Sequence, residues 1–152
     1  MEADMDNIGN IQIIIRLVLS IILSSLIGLE RELRHKAAGL RTHVLVGLSS
    51  CLLMLVSIYV AKGPEGEFLF DPGRIAVGVV TGIGFLGAGT IIRFGVSVKG
   101  LTTAASLWAV AALGLAIGCG FYVGGCATAA LIVISLLMLS HFEKNVSKTK
   151  IK

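Results

Sequence analysis

Residues 28–43 read GLERELRHKAAGLRTH, an ionic stretch between two apolar runs. Glu30 and Glu32 stand four positions before Arg34 and Lys36, the order in which helical i,i+4 ion pairs are most favourable. Arg31, His35 and Arg41 add positive charge, and Gly39 is suited to end the helical turn. The chemistry open to such a set is electrostatic: pairing charges, holding an anionic group, or fixing a chain segment. Arg93 and Lys99 flank FGVSV, and Thr102 and Thr103 follow soon after. Glu30 stands where an apolar run ends, so its carboxylate is expected to be partly dehydrated. It is then expected to pair with Arg41 or Arg93, because an unpaired charge there is costly. Thr102 and Thr103 would add hydroxyl partners. The candidate functional cluster is therefore Glu30, Arg31, Arg41, Thr42, Arg93, Lys99, Thr102 and Thr103, shaping a shallow cytoplasmic cavity for a partner or small ligand. Two plainer readings stand beside it: a solvated loop that sets orientation, and a clasp that only holds loops together.

Other chemistries find little support. The sequence shows no catalytic Ser/His/Asp spacing, no metal-type His pair and no CxxC, so no enzyme, cofactor or metal site is expected. Cys51, Cys119 and Cys126 lie in apolar runs and read as small buried hydrophobes. Gly82, Gly84 and Gly87 match G-x-G-x-x-G, but within an apolar span and without the acid about 20 residues on that a dinucleotide site needs. Nucleic acid is not an expected partner despite the net charge of +4, since no basic face carries interleaved aromatics. Anionic lipid headgroups suit these juxtamembrane charges better.

The elements that position these residues follow from composition. Of 152 residues, 55% are hydrophobic and 14% charged, against about a quarter charged in soluble domains. With a mean hydropathy of +0.92, the chain reads as an all-α membrane protein. Five spans of about 20 residues are expected: 11–29, 43–61, 75–92, 101–118 and 121–140. The charge-free block 101–140 is twice the length of one helix, so a tight turn is expected within GLAIGCGFYVGG. Residues 1–140 then form one transmembrane domain, with 141–152 a short basic cytoplasmic tail. Glu2, Asp4 and Asp6 argue against a cleavable signal peptide, which opens basic.

Glycine is expected to pack this bundle closely. Gly78, Gly82, Gly84, Gly87 and Gly89 crowd the third span, and GxxxG recurs at Gly114/Gly118 and Gly120/Gly124. Small residues let helix backbones touch in lipid; a subunit interface is one use, and a break in the third helix lining a cavity is the alternative. Arg16 lies near the start of the first span, within snorkelling reach of the outer interface. Asp71, followed by Pro72 and Arg74 on the outer side, reads as the N-cap of the third helix. No Asp or Glu falls at the centre of a span, which weakens a carboxylate path for Mg²⁺.

Three stretches in order, GLERELRHKAAGLRTH, DPGRIAVGVVTGIGFLGAGTIIR (Asp71 to Arg93) and VKGLTTAASLW (Val98 to Trp108), resemble the signature of the MgtC/SapB family across most of the chain. The resemblance implies a bacterial inner-membrane protein of five helices, associated with growth in low magnesium and with virulence. Members are often labelled magnesium transporters. For the best-known members the resemblance instead implies a regulatory role, through contact with other membrane complexes such as the proton-driven ATP synthase. The motif residues carry over onto Glu30, Arg31, Gly39, Arg41 and Thr42, then Arg74, Gly82, Gly84, Gly87, Gly89 and Arg93, then Gly100, Leu101, Thr103 and Trp108. Phe94 and Ser97 stand where relatives often carry Glu and Asn, and Lys99 where Arg is common, so an activity that needs that acid and amide is not implied. The soluble domain that larger members add after helix five has no counterpart in the roughly twelve residues that follow here. Two functions stay open: a regulatory membrane protein that acts on partners, in a homodimer by preference, and a transporter of Mg²⁺ or another small cation.

Charge sets the expected orientation. The segments 30–42, 93–100 and 141–152 alternate onto one side and hold ten Lys or Arg; the other side holds Lys62 and Arg74. By the positive-inside rule the N-terminus lies outside and the C-terminus in the cytoplasm. A reporter fused after Lys152 is expected to give a cytoplasmic signal; a periplasmic one would overturn both the orientation and the span count.

Overall fold

The computed structural model describes the backbone of residues 9–149 and the side chains of residues 9–138. It contains α1 (Asn10–Leu33), α2 (Leu40–Ala61), α3 (Gly73–Gly89), β1 (Ile92–Phe94), β2 (Ser97–Lys99), α4 (Leu101–Gly118) and α5 (Tyr122–Thr149). Residues 141–149 of the expected tail continue α5 in their backbone, and 150–152 lie outside the described residues, as do Glu2, Asp4 and Asp6.

The charged stretch ends one helix and starts the next. The Lys36 and His35 amides donate to the Arg31 and Glu32 carbonyls at 3.0 and 2.9 Å, the paired bonds of a Schellman stop. His35 takes the left-handed conformation, with φ of 51°. Lys36 therefore falls beyond the helix, and the expected Glu32–Lys36 pair does not form. Glu32 Oε2 instead accepts the Leu40 amide at 3.0 Å and caps α2. Gly39 serves that cap rather than ending the first helix: a Cβ there would stand 1.7 Å from Glu32 Oε2.

The core lies where α1, α2 and α4 meet. α1 and α2 run antiparallel, and small residues every fourth position on α1 face matching positions on α2. A Cβ on Gly28 would lie 3.0 Å from His43 Cβ, and one on Gly47 1.9 Å from Ser24 Oγ; the Ser20 hydroxyl meets Cys51 one turn further on. α4 runs parallel to α2 against its other side. A Cβ on Gly114 would stand 2.3 Å from the Gly47 carbonyl, and one on Gly118 2.7 Å from that of Cys51. Ile27, Leu107, Val110, Leu113 and Ile117 fill the space around these contacts, and α5 packs on α1 and α4.

The glycine-rich close packing is thus built from Gly28, Gly47, Gly114 and Gly118, not from the α3 run. Of the α3 glycines, Gly87 alone approaches another helix, with Ala104 3.5 Å from its Cβ position, while Gly78, Gly82, Gly84 and Gly89 meet nothing within 4 Å. The reason is directional. α3 leans on α2 and α4 with one face, burying Ile83 and Gly87; Gly78 and Gly82 line an open groove of about 650 Å³ between α2 and α3, and Gly84 and Gly89 are exposed. Nor is α3 broken: it runs as one α-helix from Gly73 to Gly89. Gly120 makes the turn before α5, with φ of 90°.

Among the described residues there are five helices, of which three, α1, α2 and α4, are long and apolar enough to cross a membrane by length and composition. α3 and the described apolar stretch of α5, Tyr122–Met138, are shorter. Seventeen residues rise about 26 Å, less than the roughly 30 Å hydrocarbon core. Ile91 and Ile92, apolar enough to extend the third span in sequence, belong instead to a turn and to β1.

Gly114→Leu is expected to lower the thermal midpoint in detergent by at least about 5 °C, because its side chain must part α4 from the α2 backbone. Gly82→Leu is expected to leave the fold of a single chain unchanged; the reverse ranking in a melting experiment would refute this packing.

Candidate functional site

At the end of the bundle where α1 stops and α2 and α4 begin, an ion cluster is sealed inside. Glu30 is 7% exposed and Arg31 3%. Both Nε and Nη2 of Arg31 contact Glu30 Oε2. Arg34 Nε holds the other oxygen, Oε1, through an ion pair one helical turn on. One carboxylate thus carries two guanidiniums, and the cluster keeps a net positive charge.

The expected pairing of Glu30 with Arg41 or Arg93 does not occur, because α1 stays helical past Glu30 and local guanidiniums reach the carboxylate first. Arg41 and Thr42 are exposed in the first turn of α2. Arg93 is exposed on β1 and donates from Nε to the Gly95 carbonyl at 3.0 Å. Lys99 lies on β2 with its ammonium 6.0 Å from the Phe94 ring centroid. Thr102 is exposed and Thr103 buried. A cavity of about 410 Å³ does open at this end, but its walls include Thr42, Phe85, Leu86, Thr90 and Leu107, and Glu30 is not among them. Phe94 and Ser97 face each other across the hairpin, both exposed.

Behind the ion cluster lies a histidine that sequence reasoning passed over. His43 is fully buried. Its Nδ1 stands 2.8 Å from the Gly39 carbonyl and its Nε2 3.0 Å from Ser106 Oγ. Ser106 Oγ is also 2.9 Å from the Thr103 carbonyl. The proton accounting is tight. A carbonyl only accepts, so Nδ1 carries a proton. Ser106 has one proton and two acceptors for it when His43 is neutral; when the ring is protonated, Nε2 donates to Ser106 and Ser106 to Thr103, and every group is satisfied. The signal was available: a lone histidine on an apolar helix must find polar partners, and Ser106 lies within the next apolar run.

The opposite end carries a second polar lock. Arg16 does not snorkel outward. It is buried, and its Nη1 donates to the Gly118 carbonyl at 2.7 Å. Its Nε donates to the Tyr122 hydroxyl at 2.9 Å, and the guanidinium sits 5.7 Å from that ring's centroid. A cation on the last carbonyl of α4 satisfies a group the helix end leaves unpaired and complements its dipole. Asp71, exposed like Arg74, accepts the Gly73 amide at 2.7 Å, so it caps α3 from one position before Pro72.

The sequence matches known proteins over most of its length. The profile of the MgtC family matches residues 17–145. YhiD of Escherichia coli K12, whose name offers magnesium transport as a suggestion, is 46% identical over 138 residues, covering 88% of this chain and 61% of YhiD. Protein SapB of Bacillus subtilis is 37% identical over 143 residues, 92% of this chain and 62% of its own length. Protein MgtC of Salmonella typhimurium LT2 is 38% identical over 138 residues, 91% of this chain and 57% of its own. The chain therefore spans about three fifths of the length of these relatives. No solved structure matches.

Glu30→Gln removes the charge and keeps the shape, leaving Arg31 buried without its counterion. Breaking a buried pair from one side costs about 3–5 kcal/mol. Arg34→Gln is expected to cost less, since Arg34 is 27% exposed. Denaturant titrations of the two variants in the same detergent check the order.

Proposed function

The chain belongs to the MgtC family, and from that premise we propose that it is a bacterial inner-membrane regulatory protein serving adaptation to low magnesium, acting through contact with other membrane components. The proposal takes α1 to α5 as five spans, with the N-terminus outside and the C-terminus in the cytoplasm. The charge asymmetry supports this orientation. α3 and α5 would cross with help from their flanking residues, α5 through the turns that carry its backbone on to Thr149. Its surroundings are membrane lipids, a second copy in a homodimer, for which the open Gly78 and Gly82 face of α3 leaves room, and a larger membrane complex of the ATP synthase kind. Ion homeostasis and virulence would be affected through these contacts, and no catalysis or cofactor is part of the reading.

One observation carries it. Glu30 is the only buried carboxylate among the described residues, and two guanidiniums occupy it. Mg²⁺ binds through oxygen ligands, commonly one or two carboxylates. A cation passing Glu30 would have to displace both arginines from it. The cluster is suited to fixing the C-terminal turn of α1 in one shape, and so to presenting a fixed surface.

Transport is the second reading, and it has its own observation. The Ser24 hydroxyl is buried in the bundle without a hydrogen-bond partner among the described residues, and Ser20, one turn away, has only the weak thiol of Cys51 beside it. Hydroxyls in such a place are the kind of ligand a permeation path uses.

Purified protein in vesicles loaded with a magnesium indicator separates the two. The regulatory reading expects no saturable Mg²⁺ flux, together with slowed growth in low magnesium when the gene is deleted and recovery on complementation. A robust saturable flux would overturn it in favour of transport.

A further inference from the structure

The α3–α4 connection forms an uncovered hairpin. Ile92 pairs with Lys99, Arg93 with Val98 and Phe94 with Ser97 in antiparallel register. Its base is pinned. The Ile91 amide donates to the Ala88 carbonyl at 3.0 Å and Thr90 Oγ1 to that of Gly87 at 2.8 Å. Gly100, with φ of 92°, lies so close beneath that a Cβ would stand 1.9 Å from the Thr90 carbonyl. The hairpin therefore leaves the helix ends in a fixed direction.

Its side chains do not suit water. Val96 at the tip is fully exposed at 102%, Phe94 at 63% and Ile92 at 50%. Cross-strand partners share a face, so Ile92, Phe94, Ser97 and Lys99 lie on one and Arg93 with Val98 on the other. Each face thus joins apolar groups to one cation, and all six paired residues are exposed. A two-stranded hairpin is marginally stable in water and needs a surface to pack on. The charge is one-sided too. No acid occurs between Asp71 and Glu143 in the sequence, and neither Arg93 nor Lys99 forms an ion pair among the described residues. Apolar stems and rings beside unpaired cations fit the boundary between acyl chains and phosphates, where aromatic and basic side chains settle.

We infer that the hairpin 92–99 is an interfacial anchor, seating Phe94 and Val96 among the acyl chains of the surrounding leaflet and holding anionic phospholipid headgroups with Arg93 and Lys99. The inference rests on the chain being a membrane protein and not on the regulatory reading, so either can fail alone.

The test places a tryptophan at the tip of the full chain. Trp108 is the sole native tryptophan, so Val96→Trp is made with Trp108→Phe and reconstituted in vesicles of phosphatidylcholine, with or without a quarter of phosphatidylglycerol. Blue-shifted emission, quenched by shallowly brominated lipid and shielded from iodide, is expected, with the shielding greater in the anionic vesicles. Arg93→Gln and Lys99→Gln are each expected to weaken the anionic preference about fivefold. Red emission open to iodide in both vesicles would overturn the anchor. Shielding from iodide and lipid quencher alike would overturn it in favour of a protein covering the hairpin. Should the double variant fail to fold, hydrogen exchange of residues 91–99 in the unaltered chain decides: slowing by about tenfold in anionic over neutral nanodiscs supports the anchor, and equal rates refute it.

Discussion

The fold depends on how closely three backbones approach in a medium that offers no hydrophobic force between helices. Lipid tails are as apolar as leucine, so helices associate by contact and by hydrogen bonds. Here that contact is made where the Gly47 carbonyl lies against Gly114 and the Ser24 side chain against Gly47. The spacing of these positions is four residues on both α1 and α2, the row that forms a ridge on a helix surface. Register between the helices is fixed by this fit, because a slip by one residue would bring a larger side chain to a carbonyl.

That register brings polar groups together at each end. One turn from Gly47, His43 meets Ser106. Near the other end, Arg16 meets the last carbonyl of α4, that of Gly118, and Tyr122. Each polar group is expensive to bury alone and inexpensive when its partner is delivered by packing. The Glu30 cluster differs in kind. Its three charges all come from the last turn of α1 and its cap residue Arg34, so it forms from local sequence, and packing supplies only the seal over it.

α3 and the hairpin stand apart from this core. α3 buries little, and the chain after it turns outward at Ile91 into two exposed strands. This thinly packed part of the molecule therefore carries both the exposed glycines and the uncovered cations. The core is the rigid element, and the α3–hairpin unit presents surface to whatever surrounds it.

Hydropathy and charge are sums along the chain, and what depends on them was legible in the sequence: a membrane protein, five helices, the exact limits of α4, and a glycine turn before α5. The Glu30–Arg34 pair was legible because it lies within one helical turn. What required tertiary structure was direction. GxxxG on α3 and at Gly114/Gly118 look alike in one dimension, and only the second faces another backbone. Arg16 read as a snorkelling side chain because nothing local marks Gly118 and Tyr122, over a hundred residues on, as its partners. His43 was silent for the same reason. The 92–99 hairpin was missed because its pairing answers to the turn at Gly95 and the pinned base at Gly100, not to any alternation of apolar and polar residues that would announce a buried face. Sequence determined which segments leave water; the register of the helices decided which faces meet, since that depends on distances between residues far apart in the chain.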